Sequence, residues 1–352
     1  MSDLQSLEER IRAAAAARRP LRIRAGGSKD FYGGPLAGEL LEVGTLSGIT
    51  LCEPTELVIS ARAGSPVAEL ERVLAAHGQM LGFEPPQFEG RATLGGAVAS
   101  GLSGPRRAHG GAVRDFVLGI EMIDGRGERL RFGGKVIKNV AGFDVSRLMA
   151  GSLGTLGVLT EVTLKTVPRP RAECTLRFEM DQAKALESMT LWATRPLPLS
   201  ATEWEDGVLS VRLSGAEAAV RAARQAVGGE IVDGVKNYWE SVREQQLPFF
   251  AAARELWRVS LPVDSPPLPV TGPTLIEWGG SLRWLPGPQD ASALRTLAAR
   301  LGGHATLYRS PLQRPADPFQ PLSVAMLSVH KRLKAVFDPH GIFNRGRLHP
   351  DF

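Results

Sequence analysis

The sequence predicts an α+β protein of two domains, and three observations carry this prediction. The chain has 352 residues, which is more than one hydrophobic core usually serves. Strand patterns and helix patterns are mixed along its whole length. Within residues 93–163, glycines cluster between short apolar runs rich in Val, Ile and Leu. Because glycine lacks Cβ and tolerates positive φ, this stretch indicates backbone in close approach to a large, flat and charged ligand.

The first domain is expected to span residues 1–170. It begins with a surface helix, and not with a signal peptide, since acidic residues precede the alanine run and there is no long apolar segment. Strands are predicted at 21–24, 39–43, 57–61 and 158–167, a helix at 67–77 and a hairpin at 116–123 and 129–132. Pro168 and Pro170 restrict the backbone directly after the last of these strands, so we place the domain boundary there.

The second domain, residues 171–320, has the element order β-α-β-β-α-β, which is the split βαβ arrangement of ferredoxin-like domains. Parts of it recur further along the chain. Glu203-Trp204 matches Glu277-Trp278, and Gly228-Gly229 matches Gly302-Gly303. The recurrence favours a duplicated half-domain, although so few identities also arise by chance.

The last segment, residues 321–352, is predicted to be a helix over 322–337 followed by a loop of defined conformation, DPHGIFNRGR. A loop of this kind at a chain end often closes back on another part of the fold. We therefore expect the segment to return to the first domain.

Composition narrows the classes of function. Hydrophobic content of 43% and charged content of 22% are ordinary for a globular protein, and no apolar run approaches the roughly 20 residues that cross a bilayer. The net charge of +5 comes without a Lys/Arg run, so nucleic acid is not an expected partner. Cys52 and Cys174 are too few to ligate an iron–sulfur cluster and are expected to be reduced thiols, with no metal site.

Three glycine-containing segments are candidates for binding chemistry. The loop from Arg24 to Gly34 follows a strand and can form a nest of N–H groups for phosphate, although a plain turn has the same pattern. The segment from Thr93 to Gly101 either lines a flat ligand or is a close-packed helix start. The third combines KNVAGFD, whose charges suit a structural ion-pair set, with the run 151–158. No G-x-G-x-x-G opens a helix after a strand, so a Rossmann unit is not indicated.

Taken in order, the GGS loop, ATLGG, VRDFVLG, KNVAGFD and GTLGVLTEVTLK resemble the FAD-binding domain of the vanillyl-alcohol oxidase type, also called the PCMH type. The resemblance covers about residues 20–170, and DPHGIFNRGR is similar to the terminal loop of that family. KNVAGFD and GTLGVLTEV are most similar to its D-lactate and glycolate dehydrogenases. The resemblance implies a flavin domain of two α/β subdomains with an α+β cap.

The resemblance also implies roles for individual residues. Ser28 stands where members with covalently linked flavin have histidine, so FAD is expected to be bound non-covalently. The implied FAD-binding residues are Arg24, Gly26, Gly27, Ser28 and Lys29 in the first pyrophosphate loop, Thr93, Leu94, Gly95, Gly96, Ser100 and Gly101 along the pyrophosphate and flavin, Gly110 and Val113 in the following loop, Gly157 and Val158 near the adenine side, and Asn344 from the C-terminal loop.

Catalytic residues are not assigned. Catalytic members of the family carry a Gly-Glu-His-Gly type motif in the cap, and residues 171–330 have none. His304 and His330 are the histidines of that range, and surface or packing roles are expected for both.

Three functions remain open. The first is an FAD-dependent oxidoreductase subunit of a complex that oxidises glycolate to glyoxylate, passing electrons between a larger FAD-containing subunit and an iron–sulfur subunit. The second is a non-catalytic assembly subunit that docks through the tryptophans of its cap, at 204, 239, 257, 278 and 284. The third is a stand-alone 2-hydroxy-acid dehydrogenase. The expected location is the cytoplasm, or the inner face of the membrane through partner subunits.

Overall fold

The structure is a computed structural model that describes residues 3–136, 143–232, 237–311 and 317–352. The chain forms two compact units, which we call the first and second unit. The first unit comprises Met1–Leu102, Ala112–Pro168 and Gln313–Phe352, and the second comprises Ser103–Gly111 and Arg169–Leu312. Residues 137–142, which hold most of the KNVAGFD motif, lie outside the described residues.

Short strands and a few helices make up the first unit. Its helices are α1 (Asp3–Ala16), α2 (Val67–Ala76), α3 (Leu94–Ser100), α5 (Val145–Leu148) and α11 (Val324–Phe337). Its strands are β1 (Leu21–Arg24), β2 (Glu39–Glu42), β3 (Ile49–Glu53), β4 (Val58–Arg62), β5 (Gln79–Met80), β6 (Val117–Ile123), β7 (Arg129–Gly133), β8 (Val158–Lys165) and β9 (Val167–Pro168). Single 3₁₀ turns cover Pro54–Glu56 and Val113–Asp115.

Longer strands characterise the second unit. Its helices are α4 (Arg107–Gly110), α6 (Gln182–Ala193), α7 (Glu217–Val227), α8 (Tyr238–Arg243), α9 (Pro248–Ala252) and α10 (Ala291–Arg300), with a 3₁₀ turn at Trp278–Gly280. Its strands are β10 (Ala172–Glu179), β11 (Leu199–Glu205), β12 (Val208–Gly215), β13 (Glu230–Ile231), β14 (Leu256–Ser260), β15 (Leu275–Glu277), β16 (Leu282–Pro286) and β17 (His304–Arg309).

Three sheets lie in the first unit, of which the smallest is the antiparallel pair of β5 and β9. β1 and β2 form a parallel pair, and a five-stranded antiparallel sheet has the order β3-β4-β8-β6-β7. α2 packs on the largest sheet through Val67, Leu70 and Leu74, which recur at helical spacing and are buried. α1 covers the β1–β2 pair with Leu7 and Ile11. The unit therefore has two α/β subdomains, as the sequence predicts.

The C-terminal segment closes on β1 within the first unit. The N–H of Leu21 donates to the carbonyl of Ile342 at 2.7 Å, and Leu21 forms a parallel bridge with Phe343. Lys334 on α11 is buried, and its ammonium donates to the carbonyls of Thr155 and Phe343. These bonds fix the terminal loop beside the strand that carries the glycine loop.

An eight-stranded antiparallel sheet forms the second unit, in the order β13-β10-β12-β11-β15-β16-β14-β17. Each half has the same strand order read outward from the β11–β15 pair, and Glu203 lies directly opposite Glu277 at that junction. This order agrees with the duplication hypothesis. One difference is that the described residues between β14 and β15 contain no helix, whereas α6 joins β10 to β11.

The two faces of this sheet differ in chemistry. One face packs apolar side chains against α6, α7 and α10. Strand alternation turns the intervening residues to the opposite face. That face carries polar, charged and aromatic residues, among them Arg177, Glu203, Ser210, Arg212, Arg258, Glu277, Trp284 and Thr306.

Among the helices that the structure describes, none has the length and apolar character that a membrane span needs.

Candidate cofactor-binding site

A groove of about 840 Å³ lies in the first unit, where the loop after β1 faces α3 and the terminal loop. Apolar side chains of Val43, Leu153 and Leu159 line it together with backbone of the glycine loop. Eleven of the sequence-predicted FAD-binding residues border it: Arg24, Gly26, Gly27, Ser28, Lys29, Thr93, Gly95, Gly96, Ser100, Gly157 and Asn344.

The loop after β1 presents unpaired backbone donors to this groove. Within the described residues, the N–H groups of Gly26, Gly27 and Ser28 donate to no other atom of the chain, although none of the three residues is fully exposed. Gly27 has φ +65°, the left-handed conformation that curves successive N–H groups into one concavity. Such a nest binds the oxygens of a phosphate or diphosphate.

Gly26 is required by close packing rather than by its dihedral angles. A Cβ built at Gly26 would lie 1.8 Å from the carbonyl oxygen of Arg91, and that oxygen is backbone and cannot turn aside. The loop thus passes so close to residues 91–93 that no side chain fits. This contact fixes the curvature of the nest.

Cationic side chains stand beside the nest. The Arg24 guanidinium pairs with Asp30 at 3.0 Å, so much of its charge is balanced within the loop. The Lys29 ammonium donates to the Ser28 hydroxyl at 3.2 Å and lies 5.3 Å from the centroid of the Phe88 ring. The lysine therefore holds positive charge at the nest, where it favours an anionic ligand.

α3 lines the groove with small residues, and the N–H groups at its start are not free. Its N-terminal amides are already used: Leu94 donates to the Ser65 carbonyl at 2.9 Å, and Gly95 to the Ala63 carbonyl at 2.7 Å. Thr93 caps the helix with its hydroxyl. The amides of Leu94 and Gly95 are therefore not available to a ligand, because neighbouring backbone accepts their hydrogens. The start of α3 is close-packed at Gly95, and residues of the same helix also border the groove.

Asn344 borders the groove through a fixed amide. Its side-chain oxygen accepts the N–H of Ile23 at 2.8 Å, and its side-chain nitrogen donates to the carbonyl of Leu153 at 2.7 Å. Gly154 packs against it, since a Cβ there would lie 2.7 Å from the amide nitrogen. Asn344 thus joins three segments that line the groove.

Five sequence-predicted residues do not border this groove. Leu94, Val113 and Val158 have side chains in the apolar cores of the first unit, and Gly101 ends α3 with φ +69°. Gly110 lies on α4, in the second unit. Any part they have in cofactor binding remains a prediction.

Arg347 is a groove residue that sequence reasoning missed. Its guanidinium donates to the carbonyls of Gly34, at 2.6 Å, and of Tyr32, and so it ties the terminal loop to the end of the glycine loop. The sequence offered one hint, because Arg347 belongs to the DPHGIFNRGR loop that is expected to return to the first domain. Its carbonyl acceptors, at Gly34 and Tyr32, are more than 300 residues away in the sequence and are identified only from the structure.

The groove fits a flavin dinucleotide. The three unpaired amides and Lys29 suit the diphosphate, and the apolar walls suit the rings. The fold and this groove define a flavoprotein of the vanillyl-alcohol oxidase (PCMH) type, with FAD as its cofactor. Residues 1–133 match the family model described as an FAD binding domain.

The chain belongs to the family of glycolate oxidase subunit GlcE. It is 46% identical over 347 residues to the Escherichia coli K12 protein of that name, covering 99% of this chain and 97% of the relative. Glycolate oxidase subunit GlcD of Bacillus subtilis is 36% identical over 127 residues, which cover 36% of this chain and 27% of the relative. A D-lactate dehydrogenase of Archaeoglobus fulgidus is 34% identical over 161 residues, covering 43% of this chain and 34% of the relative.

A solved structure shows the same fold. Alkyldihydroxyacetonephosphate synthase superposes with a TM-score of 0.66 at 16% identity, covering 97% of this chain and 75% of the other. At this identity the likeness concerns the fold alone.

Proposed function

We propose that this chain is the FAD-bearing redox subunit of a complex that oxidises glycolate to glyoxylate. The observation that carries the proposal is the full-length similarity to GlcE combined with the nest of unpaired amides at Gly26–Ser28. In the reaction, glycolate loses two electrons and two protons to become glyoxylate, and an acceptor receives the electrons. FAD supplies the electron-accepting chemistry when it is bound.

The residues of this chain hold the cofactor. The glycine loop binds the diphosphate through backbone amides, Lys29 balances its charge, and α3 offers a wall of small residues. Asn344 keeps the β1 end, the 153–154 turn and the terminal loop at fixed distances. This rigid frame fits non-covalent FAD.

Electrons leave through partner subunits in this proposal. Among the described residues there is no group of three or more His, Cys, Asp or Glu side chains that could hold a metal ion, and Cys52 and Cys174 are free. An iron–sulfur centre would therefore belong to another chain. The larger partner would be a flavoprotein of the kind that the GlcD similarity indicates.

Production of the chain alone and together with its genomic neighbours, followed by measurement of bound flavin and glycolate turnover, tests the proposal. We expect a yellow protein with about one FAD per chain, and turnover that is high only in the complex. A Gly26→Val variant should lose FAD and complex turnover, because its side chain collides with Arg91. Gly215→Ala is the matched control, since its Cβ meets only Pro198 at 3.5 Å.

Two outcomes separate the alternatives. A complex that turns over glycolate with an FAD-free Gly26→Val subunit would make the chain an assembly subunit. Turnover by the isolated chain would make it a stand-alone dehydrogenase. Trp239, Trp257 and Trp278 give the assembly reading no support, because each is buried inside the second unit.

A further inference from the structure

Exposed apolar side chains are concentrated on α11, in the first unit. Among the described residues, ten large apolar side chains are exposed, and four of them lie on this one helix: Val324, Met326, Val329 and Val336. Single exposed apolar residues are normal on a protein surface, whereas a contiguous patch is typical of an interaction site.

The spacing of these residues matches the seam along which two helices pack. Met326, Val329, Leu333 and Val336 follow one another at alternating spacings of three and four residues. This spacing places their side chains in one narrow stripe along the helix. Leu333 lies at the inner border of the stripe and packs on the core of the first unit, whereas the other three are exposed.

Positive charge borders the stripe. Arg332 lies three residues after Val329 and four before Val336, so its side chain stands beside the stripe. Arg332 is exposed, and no carboxylate among the described residues pairs with it. Lys331 differs, because its ammonium lies 2.7 Å from a carboxylate oxygen of Asp351. α11 contains no Asp or Glu of its own, so the charge of Arg332 is unbalanced on this helix.

A second copy of α11 would not suit the stripe. Arg332 is near the middle of the stripe, so in a parallel or an antiparallel pair of identical helices it would lie close to its own counterpart. Like charges in this arrangement repel each other, and α11 has no carboxylate to offset them. The charge therefore favours a different chain that has acidic residues at the matching positions.

A lipid surface suits α11 less well than a helix does. Helices that lie on membranes carry Trp, Phe or Leu on one face and several Lys or Arg residues on the other. The exposed residues of α11 include no aromatic side chain, and Arg332 is its single Lys or Arg without a carboxylate partner in the described chain. One partner helix covers a narrow stripe of this spacing.

We propose that α11 is a docking surface for an amphipathic helix of a partner subunit. We call this surface the outer α11 face, and it consists of Met326, Val329, Arg332 and Val336. The partner helix has apolar residues at the same spacing and a Glu or Asp that pairs with Arg332. That the partner belongs to a glycolate-oxidising complex rests on the proposed function, whereas the surface itself rests on exposure, spacing and charge.

Surface plasmon resonance between the FAD-loaded chain and the purified subunits encoded by its genomic neighbours tests this surface. Met326→Glu and Val329→Glu should each weaken the affinity at least about tenfold, since each places a carboxylate in an apolar contact. Leu191→Glu, on α6, is the matched control and should bind as the parent does, because Leu191 is 48% exposed and Met326 is 49% exposed.

Arg332→Glu tests the charge. Its affinity for the partner subunits should be about three- to tenfold lower than that of the parent, and the difference should narrow in about 0.5 M NaCl, since salt screens exposed charges. Arg300→Glu, on the exposed end of α10, should keep the affinity of the parent. All variants should keep the FAD content and melting temperature of the parent, because each changed side chain is exposed.

Photo-crosslinking protects the test against misfolding. A benzoylphenylalanine in place of Val329, within the assembled complex, should cross-link to a helix of a partner subunit, and the same group in place of Leu191 should not. Absence of a cross-link from position 329 to any partner subunit overturns the proposal. Equal partner affinity of the parent, Met326→Glu and Val329→Glu also overturns it.

Two further measurements identify a different occupant. A dimer of the isolated chain that Met326→Glu converts to a monomer, measured by sedimentation, would assign the outer α11 face to a second copy. Binding to vesicles of phosphatidylglycerol and phosphatidylethanolamine that Met326→Glu abolishes, with unchanged partner affinity, would assign it to lipid. Either result overturns the proposal.

The two proposals fail separately. A chain that binds no FAD, or a complex that does not turn over glycolate, contradicts the proposed function, and the partner affinities of the variants still decide the docking surface. A complex that turns over glycolate and assembles equally well with Met326→Glu, Val329→Glu and Arg332→Glu contradicts only the docking surface.

Discussion

Asn344 and Ile23 are joined across most of the chain by one hydrogen bond: the backbone N–H of Ile23 donates to the Asn344 side-chain oxygen at 2.8 Å. The same amide donates to the carbonyl of Leu153 at 2.7 Å. Three segments that line the FAD groove thus depend on one side chain. Asn344 is buried, so neither backbone group can readily turn to water instead.

Asn344→Leu should lower both stability and FAD affinity. The substitution leaves the Ile23 N–H and the Leu153 carbonyl unpaired, and each buried unpaired group costs about 1–3 kcal/mol. We expect a loss of about 2–4 kcal/mol in the free energy of unfolding, measured by denaturant titration with flavin fluorescence as the probe. Asn237→Ala, an exposed asparagine without a side-chain cap bond, should change neither quantity. An unchanged FAD affinity in Asn344→Leu would contradict the role given to this amide.

The neighbouring glycines 95 and 96 should respond in opposite ways to substitution. A Cβ at Gly95 would lie 2.7 Å from the Ala63 Cβ, so Gly95→Ala should destabilise the first unit. Gly96 borders the groove, is exposed and meets only the Thr93 hydroxyl, at 3.1 Å. Gly96→Leu should therefore fold with unchanged or higher stability, because leucine favours helix over glycine by roughly 1 kcal/mol. Its side chain should reduce FAD affinity at least about tenfold, since it would fill space in the groove that the glycine leaves open.

Flavin titration and thermal unfolding of both variants measure these effects. If Gly96→Leu binds FAD as the parent does, the cofactor does not lie against α3.

The sequence was most informative where the physical cause is local. Strand β1 and the glycine loop after it are adjacent in the chain, so their pattern predicts a phosphate nest, and Gly27 indeed has positive φ. The hydrogen-bond partners of the α3 amides lie about thirty residues away, at Ala63 and Ser65. Pairing of this kind depends on tertiary packing, and glycine spacing does not reveal it.

The sequence also gave no indication of which unit residues 103–111 belong to. Residues 103–111 lie within a run of first-unit sequence, yet the Gly104 carbonyl accepts the Trp278 indole N–H, and Arg106 lies beside Glu173. Both partners come from far along the chain. For the same reason the sequence does not predict that the guanidinium carbons of Arg107 and Arg258 lie 4.4 and 5.1 Å from the ring centroid of Trp278.

Lys334→Met should destabilise the first unit strongly. The Lys334 ammonium is buried and donates to Asp338, Thr155 and Phe343, each within 2.9 Å. Removal of the ammonium leaves the Asp338 carboxylate buried without its cation, which costs about 3–5 kcal/mol in such pairs. Lys331→Met is the control, because its bridge to Asp351 is half-exposed and is worth less than about 1 kcal/mol.

The melting temperature of each variant is measured by following flavin release during thermal unfolding. The double variant Lys334→Met with Asp338→Leu should recover part of the loss, since it removes the unpaired charge. Equal melting temperatures for Lys334→Met and Lys331→Met would contradict this account of the buried pair.

Glu203 should make the stability of the second unit depend on pH. Burial raises the pKa of Glu203 to about 8, and Glu277, directly opposite, adds to the rise. Between pH 4.5, where the unfolded chain loses this proton, and about 8, the folded unit keeps it. The folded state then binds more protons than the unfolded state, so the free energy of unfolding falls as the pH rises through this window. We expect a fall of about 2–4 kcal/mol, complete above pH 8.

Tryptophan fluorescence during urea unfolding isolates this effect, because all six tryptophans (Trp192, Trp204, Trp239, Trp257, Trp278 and Trp284) lie in the second unit. Glu203→Gln should remove the slope between pH 5 and 8, because glutamine imitates the protonated acid and still accepts the hydrogen bond from the Tyr238 hydroxyl. At pH 9 the glutamine variant should be the more stable of the two, since the parent must then bury a carboxylate. Glu217→Gln, on the exposed first turn of α7, should keep the slope of the parent. A parent whose stability rises from pH 5 to 8, in parallel with Glu203→Gln, would show that Glu203 is ionised in the folded unit.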